Sequence, residues 1–281
     1  WNSLWNIAYP RSIARGRGMK TSIIIPARYA SSRFPGKPLV QLKLPNGTQK
    51  SLIELSWQAA QTVKGVEDVF IATDDRRIAE AADLFGAKVI MTSEQCANGT
   101  ERCAEAVERA KLTSDVIVNL QGDAPLTPAW FVEKLIKAMQ GDPTAEMATP
   151  VLRLDRLTHG HFLEDRRNGR VGGTTAVFDN NQHALYFSKE VLPFIDLSVL
   201  ASTTPLPAFH HVGVYAYRPS ALAEYLTWPQ GPLEALEGLE QLRFLENGRK
   251  VKCVEVDARG KVFWELNNPE DVRRIESVIE G

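Results

Sequence analysis

The sequence is poor in cysteine and has no apolar run that approaches the length of a membrane-spanning helix. Its cysteines, Cys96, Cys103 and Cys253, are odd in number, widely spaced and form no CxxC pair. This pattern argues against a disulfide framework and against a zinc site built on cysteine. It favours a reducing, cytoplasmic compartment, where thiols stay unpaired.

A strong net charge is also absent, because 33 Lys and Arg residues are balanced by 34 Asp and Glu residues among 281. No dense basic run lies outside residues 1–18, which argues against a nucleic-acid-binding surface and against a membrane surface. Residues 1–18 are basic, contain no acidic residue and precede Met19. We interpret them as a disordered or upstream segment, although an organelle transit segment would have the same composition.

Strand and helix patterns alternate from residue 19 to about residue 150. Short β-branched runs predict buried parallel strands at Ser22–Ala27, Asp68–Asp74, Lys88–Thr92 and Asp115–Asp123. Helices are predicted to start at Ser51, after Asp74 or Asp75, at Thr100 as N-cap, and at Asn268 as N-cap with Pro269 next. This alternation predicts a Rossmann-like α/β fold, a mostly parallel sheet flanked by helices.

The second half of the sequence lacks this regular alternation of strands and helices. Short strands are predicted in EMATPVLRL, GTTAVFD, ALYFS, HVGVYAYR and VKCVEVD, and helix periodicity returns only in PLEALEGLEQLRFLENG. We therefore expect an additional small lobe of strands that extends the sheet. The absence of a convincing linker favours one domain over residues 19–281, with lobes at about 19–150 and 151–281.

Polar residues cluster where the predicted parallel strands end, which is where such sheets bind ligands. The clusters are Arg28–Lys37, Thr73–Asp75, Asn98–Arg102 and Gln121–Asp123. The first places Arg28, Arg33 and Lys37 among small residues between prolines. Cations and free backbone amides of this kind suit a polyphosphate, although the loop lacks the Walker A pattern. A solvated basic loop is the alternative.

Asp123 ends the fourth strand beside Gly122 and is a candidate ligand for Mg²⁺, which binds phosphates together with one or two protein oxygens. A turn or cap before Pro125 is the alternative. Asn267 is a weaker second candidate, because an asparagine in a turn has the same signature. The pair His159 and His161 is expected in a loop, and we do not expect zinc.

HVGVYAYR is predicted to be one strand that begins at His211. Strand alternation then places His211, Gly213, Tyr215 and Tyr217 on one face. A face that carries histidine and tyrosine suits a polyhydroxylated or anionic substrate, whereas a half-exposed structural strand is the alternative. No Ser-His-Asp order or nucleophile elbow favours hydrolysis.

The motifs occur together in one known family. PARYASSRFPGKPL, ATDD, NGTER, VNLQGDAP, ALYFS, HVGVYAYR, LEQLR and NPED follow the order and approximate spacing of the bacterial 3-deoxy-manno-octulosonate (Kdo) cytidylyltransferases. The sequence resembles this family from about Thr21 to Ile279. The first loop and QGD are shared more widely among sugar nucleotidyltransferases, whereas ALYFS, HVGVYAYR and LEQLR are specific to the Kdo type.

This resemblance implies the transfer of CMP from CTP to a 2-keto-3-deoxy sugar acid, with release of pyrophosphate. It implies Mg²⁺ as cofactor, a nucleotide-binding first lobe and a sugar-binding and dimerisation second lobe. It further implies a cytoplasmic homodimer that serves lipopolysaccharide biosynthesis, with neither nucleic acid nor a membrane as partner.

The resemblance also implies roles for individual residues. The implied catalytic residues are Arg28, Arg33, Lys37 and Asp123. The implied nucleotide-binding residues are Pro26, Ala27, Arg28, Ser32, Lys37, Thr73, Asn98, Gly99, Thr100 and Arg102. The implied sugar-binding residues are Gln121, His211, Tyr215, Glu240 and Gln241. The implied metal ligands are Asp123 and Asn267.

The sequence departs from the family pattern at three positions. Asn267 stands where the family usually has an aspartate, Thr175 stands where a lysine is expected, and Ala124 replaces a glutamate. Arg167 or Arg170 is a candidate replacement for the missing lysine. These changes predict a divergent member that acts on Kdo, a modified Kdo or another 2-keto sugar acid. A CMP-nonulosonate synthetase of the sialic-acid type and a catalytically inactive nucleotide-binding homologue are the alternatives.

Overall fold

The fold is taken from a computed structural model that describes residues 18–30, 34–171, 173–196, 198, 200, 205–261, 266 and 268–280. The predicted site residues Ser32, Arg33 and Asn267 lie outside the described residues. No helix of the described part is long and apolar enough to span a bilayer.

Twelve strands occur in the described residues. They are β1 (Thr21–Ala27), β2 (Gln41–Lys43), β3 (Gln49–Ser51), β4 (Asp68–Thr73), β5 (Lys88–Met91), β6 (Val116–Leu120), β7 (Met147–Arg153), β8 (Thr174–Phe178), β9 (Ala184–Ser188), β10 (Phe209–His211), β11 (Val214–Tyr217) and β12 (Val251–Val256). A short 3₁₀ helix covers Lys37–Leu39.

The α-helices in the described residues follow the same chain order. They are α1 (Leu52–Gln61), α2 (Arg76–Leu84), α3 (Gly99–Arg109), α4 (Ala129–Gly141), α5 (Arg156–Arg167), α6 (Pro219–Tyr225), α7 (Pro232–Glu237), α8 (Leu242–Glu246) and α9 (Asp271–Glu280).

Ten of the strands form one sheet, in the order β5-β4-β1-β6-β11-β7-β10-β8-β9, with β12 paired to β7. Strands β5, β4, β1 and β6 are parallel neighbours, as the alternation predicts. Strand β11 joins β6 in antiparallel fashion, so the second half of the chain continues the same sheet. The remaining strands, β2 and β3, form a small antiparallel hairpin.

The elements predicted for the first half occur in the structure, although the fourth strand, β6, ends at Leu120 rather than at Asp123. Ser51 accepts a hydrogen bond from the Glu54 amide at the start of α1, and Asp75 caps α2. The expectation that Thr100 caps α3 is wrong. Asn98 is the N-cap and accepts a hydrogen bond from the amide of Glu101, while Thr100 lies inside the helix.

The single strand predicted for HVGVYAYR is instead two strands, β10 and β11, which lie along the same edge of β7. The backbone turns between them, where the Val214 amide donates to the Val212 carbonyl over 2.7 Å. The hydroxyl of Thr149 donates to the carbonyls of both residues and fixes this break.

Several helices were not predicted, and one of them, α4, lies in the first half of the chain. The pair His159 and His161 lies on α5 rather than in a loop, and α4 and α6 were also missed. PLEALEGLEQLRFLENG forms two short helices instead of one, because Gly238 between them adopts a left-handed conformation. Helix α9 begins at Asp271, so Asn268 and Pro269 precede it.

The sheet is covered on both faces, and each face has its own apolar cluster. One cluster contains Ile23, Ile25 and Val118 and packs against α1 and α4. The other contains Ile24, Ile117 and Tyr217 and packs against α3, α6 and α8. Neighbouring residues of β1 therefore serve opposite faces, and both clusters hold the carboxyl ends of the strands in place.

Candidate active site

The first part of the site is formed where β1, β4 and β6 end. Ala27 pairs with Thr73 in the register of β1 and β4, which places both residues at this edge. Gly122 follows β6, and a Cβ atom there would lie 2.9 Å from the carbonyl oxygen of Pro26. A glycine is therefore needed for the β1 and β6 ends to approach this closely.

The first loop is closed by a backbone hydrogen bond from the Gly36 amide to the Tyr29 carbonyl, over 2.9 Å. Gly36 has a φ of 71°, a left-handed conformation that favours glycine. Directly after this turn, Lys37 begins the 3₁₀ helix and points its ammonium group at Asp123. The Lys37 Nζ to Asp123 Oδ2 distance is 2.5 Å. Arg28, in the same loop, is exposed.

Asp123 is bound from two sides. Lys37 contacts its carboxylate, and the amide of Leu266 donates to its carbonyl oxygen over 2.9 Å. The second contact brings the residue before Asn267 to the end of β6, although Asn267 itself lies outside the described residues. The described residues contain no cluster of three His, Cys, Asp or Glu side chains that would hold a metal alone. A single carboxylate fits Mg²⁺ that is bound mainly through phosphate oxygens.

The residues predicted to face the nucleoside meet at the start of α3. A Cβ atom on Gly99 would lie 3.3 Å from side-chain atoms of Pro26, Asn119 and Gln121, so this glycine packs tightly against the ends of β1 and β6. Asn98 donates to the hydroxyl of Tyr225 over 3.0 Å. The structure thus brings Pro26, Gly99 and Gln121 together.

Arg102, which the family resemblance assigns to nucleotide binding, makes buried contacts within the protein. Its side chain is 3% exposed, and its guanidinium pairs with Asp74 and donates to the Thr92 hydroxyl and the Ser93 carbonyl. These contacts tie α3 to the loops after β4 and β5. A direct contact between Arg102 and the nucleotide remains a prediction.

The predicted sugar-binding residues form a buried polar group on the α3 side of the sheet. The rings of His211 and Tyr215 lie 5.6 Å apart, and the Tyr215 hydroxyl donates to Gln241 over 3.3 Å. Burial lowers the pKa of His211 to about 3, so this imidazole is neutral at physiological pH. A neutral histidine offers one donor and one acceptor to a hydroxylated ligand.

Glu240 links this group to the nucleoside side, because its carboxylate accepts a hydrogen bond from the Thr100 amide over 3.0 Å. Burial raises the pKa of Glu240. The Thr100 hydroxyl also shares a hydrogen bond of 2.8 Å with the hydroxyl of Tyr217. The two predicted subsites are therefore joined through the first turn of α3.

Three buried polar atoms in this region have no hydrogen-bond partner: Asn119 Nδ2, His211 Nε2 and Gln241 Nε2. A buried unpaired donor or acceptor costs about 1–3 kcal/mol, so such atoms mark places where a ligand or water is expected. Asn119 was not predicted as a site residue, although a polar residue inside the apolar run of β6 was the available signal. The side-chain oxygen Oδ1 of Asn119 accepts a hydrogen bond from Gln121 Nε2 over 3.2 Å.

Thr175, which stands where the family has a lysine, has a structural role here. Its hydroxyl donates to the Glu190 carbonyl over 2.6 Å and accepts from the Leu192 amide over 3.1 Å. The proposed replacement Arg170 is exposed and pairs with Asp165 on the surface of α5. Arg167 is also exposed. Neither arginine lies among the buried residues around His211.

Comparison with known proteins gives the family. The sequence profile of the cytidylyltransferase family matches residues 22–251. The chain is 40% identical to the 3-deoxy-manno-octulosonate cytidylyltransferase of Maricaulis maris, over 93% of this chain and 97% of that protein. The chain belongs to the 3-deoxy-manno-octulosonate cytidylyltransferase family.

Two further comparisons place this cytidylyltransferase more closely. It is 40% identical to the 8-amino-3,8-dideoxy-manno-octulosonate cytidylyltransferase of Shewanella woodyi, over 92% of this chain and 98% of that protein. It also matches the structure of a CMP:2-keto-3-deoxy-manno-octonic acid synthetase in complex with CTP. That match has a TM-score of 0.78 and 32% identity, and it covers 92% of this chain and 98% of the other. The predicted fold class is therefore confirmed.

Proposed function

We propose that this cytidylyltransferase activates 3-deoxy-manno-octulosonate with CTP and yields CMP-Kdo and pyrophosphate. The observation that supports this most directly is the placement of Lys37 and Asp123 at the carboxyl edge of the sheet. In addition, the first turn of α3 is bonded to Glu240 and Tyr217, and the ring of Tyr217 lies 5.9 Å from that of Tyr215. A lysine suited to phosphate and a carboxylate suited to Mg²⁺ thus lie at one end of this connection, and a buried polar group suited to a hydroxylated acid lies at the other.

The chain's residues mainly position the substrates and neutralise charge. Lys37 and Arg28 bind the triphosphate, and the start of α3 contacts the nucleoside. The anomeric hydroxyl of the sugar forms the new bond to the α-phosphorus, and the bond to the bridging oxygen of pyrophosphate breaks. Asp123 and Asn267 would hold Mg²⁺, which would neutralise charge on the leaving phosphates when bound.

Two relatives that are each 40% identical to this chain are named for different sugar acids. One acid has a hydroxyl group at carbon 8, and the other has an amino group there. The polar atoms of His211, Tyr215 and Gln241 suit the hydroxyls that both acids share. We propose Kdo as the substrate, and the 8-amino sugar is the second candidate because of the Shewanella relative.

The test is a substrate panel with the purified full chain, CTP and Mg²⁺. The panel contains Kdo, the 8-amino sugar and a nonulosonic acid, with pyrophosphate release and product mass as readouts. We expect CMP-Kdo at the highest kcat/KM. Preference for the 8-amino sugar or for the nonulosonic acid would overturn the choice of Kdo. CTP binding without any product would instead support an inactive nucleotide-binding homologue.

We further propose that the enzyme is a cytoplasmic homodimer that serves lipopolysaccharide biosynthesis. Two observations support the dimer: β9 is the last strand of the sheet order, and its residue Leu185 is 65% exposed. Edge strands with exposed apolar residues pair readily with another copy. Sedimentation of the full chain and of Leu185→Lys tests this proposal, since the substitution is expected to weaken the dimer. A monomeric wild-type chain would contradict it.

A further inference from the structure

The ring of Tyr29 lies between a guanidinium group and a tight turn of the first loop. The Cζ atom of Arg77 is 3.3 Å from the Tyr29 ring centroid. On the loop side, a Cβ atom on Gly36 would lie 3.1 Å from two ring carbons and from the hydroxyl oxygen of Tyr29. Arg77 belongs to α2, whereas Tyr29 and Gly36 belong to the loop between β1 and the 3₁₀ helix. This stack therefore joins the loop to a helix.

The guanidinium of Arg77 is itself fixed. Its Nε donates to Asp75 Oδ1 over 2.9 Å and its Nη2 to Asp75 Oδ2 over 2.6 Å. Asp75 also caps α2 by accepting from the Arg77 amide. The hydrogen bond from the Arg77 side chain is the largest cause that lowers the pKa of Asp75. Two parallel hydrogen bonds hold a planar group in one orientation, which a lysine does not reproduce.

The helix that carries this pair is anchored in the core. Ile78 and Ala82 of α2 are fully buried and pack against the sheet. Arg77 therefore presents its guanidinium from a rigid base, although its side chain is 57% exposed. An exposed cation–π contact is weak, so the expected effect of Arg77 on the loop is modest but measurable.

We propose that Arg77 is a positioning residue for the triphosphate loop. Together with Asp75 it holds the ring of Tyr29, and Tyr29 in turn accepts the Gly36 amide through its carbonyl. This closes the turn immediately before Lys37, whose ammonium group faces Asp123. Gly36 and Lys37 are thus held in place before CTP arrives, and CTP binding loses less conformational entropy. That CTP is the ligand rests on the proposed function.

The alternative hypothesis is that Arg77 binds a phosphate of CTP directly through its positive charge. The two hypotheses predict different CTP affinities for Arg77→Lys. If Arg77 acts through its charge, Arg77→Lys keeps the CTP affinity of the wild-type chain. If Arg77 acts through its planar stack on Tyr29, Arg77→Lys loses as much CTP affinity as Arg77→Ala, since lysine makes neither the paired hydrogen bonds nor the stack.

The first experiment measures CTP binding by calorimetry in the absence of sugar, with full-length variants. We expect Arg77→Ala and Arg77→Lys to weaken CTP binding about fivefold each, which is the size of an exposed cation–π contact. Tyr29→Phe keeps the ring and is expected to bind CTP normally, whereas Tyr29→Leu is expected to resemble Arg77→Ala. Arg76→Ala, which removes an exposed neighbouring cation, is the matched control.

The second experiment follows amide hydrogen exchange of residues 28–40 without any ligand. Exchange at the Gly36 amide is expected to accelerate in Arg77→Ala and in Arg77→Lys but not in Arg76→Ala. In turnover, KM for CTP is expected to rise while kcat stays close to that of the unchanged protein. Normal CTP affinity in Arg77→Lys, or unchanged exchange in Arg77→Ala, would overturn the proposal. Since exchange needs no substrate, the result does not depend on which sugar the enzyme uses.

Discussion

Lys37 and Asp123 are in direct contact, although they are 86 residues apart in the chain. Their side chains are only 14% and 24% exposed, so the ion pair is largely shielded from water. The pair joins the loop predicted to bind phosphates to the carboxylate predicted to bind Mg²⁺. If CTP and Mg²⁺ bind as proposed, this pair has to separate: Lys37 is then expected to move to phosphate oxygens and Asp123 to the cation.

Replacing Asp123 is expected to remove turnover. Asp123→Asn keeps the shape of the side chain but loses the charge that is proposed to bind Mg²⁺, so we expect kcat/KM to fall about 100-fold or more. Asp83→Asn, on the exposed face of α2, is the control. Pyrophosphate release at several Mg²⁺ concentrations measures the effect. Unchanged activity at limiting Mg²⁺ would refute the assignment of Asp123.

Replacing Lys37 is expected to affect metal and nucleotide in opposite directions. Lys37→Met frees the Asp123 carboxylate, so Mn²⁺ alone should bind more tightly than to the wild-type chain, as followed by electron paramagnetic resonance. CTP should bind about tenfold more weakly, because a charge-assisted contact to the triphosphate is lost. If Mn²⁺ binding is unchanged, Lys37 does not compete with the metal for Asp123.

Gly122→Ala is expected to be destabilising although the position needs no left-handed backbone. The added Cβ would meet the carbonyl of Pro26 at 2.9 Å, and such overpacking typically costs about 1–3 kcal/mol. Gly141→Ala is the matched control, because nothing lies within 4 Å of its added Cβ at the end of α4. Denaturant unfolding of both variants measures the difference. Equal stability would show that the β1 and β6 ends separate easily.

His211 is expected to make stability depend on pH. Its pKa in the folded chain is about 3, mainly because of burial and secondarily because of His210, against an ordinary value of 6.5. Between these values only the unfolded chain binds the proton, so the free energy of unfolding falls as the pH drops below 6.5. The contribution lost by about pH 5 is on the order of 2 kcal/mol.

The test compares His211→Gln with the wild-type chain at neutral pH and near pH 5, by chemical denaturation. The difference in stability between the two should become smaller at the lower pH, since glutamine does not titrate. His161→Gln, at an exposed position of α5, is the matched control. A constant difference across this range would show that His211 binds its proton equally in the folded and the unfolded chain, so that burial does not lower its pKa.

Local sequence patterns were sufficient to predict the parallel half of the sheet. Strand β1 is a β-branched run that is buried on both faces, and Asp75 is placed to cap α2 by its position alone. Helix α5 escaped prediction because only His159 and Phe162 of its residues are buried, which leaves little apolar periodicity to detect. The break between β10 and β11 depends on Thr149, a residue that is distant in sequence.

In the candidate site, too, local sequence features were predictable and contacts between distant residues were not. Residue types and their order were enough to nominate Lys37, Asp123 and His211, and the family resemblance added Gln241. Neither could predict the contacts that these residues make. The Lys37–Asp123 pair depends on the sheet register, and the role of Thr175 depends on the backbone of Glu190 and Leu192. Such non-local contacts leave no periodic signal in the sequence.

The hydrogen bond from Leu266 to Asp123 also links the last helix to the site. Leu266 packs in a small cluster with Leu42, Leu52 and Ile275, so the segment that contacts Asp123 depends on α9 docking against the β2–β3 hairpin. Every strand of the described sheet ends by residue 256. Local unfolding of α9 would therefore leave the sheet intact and still loosen the surroundings of Asp123.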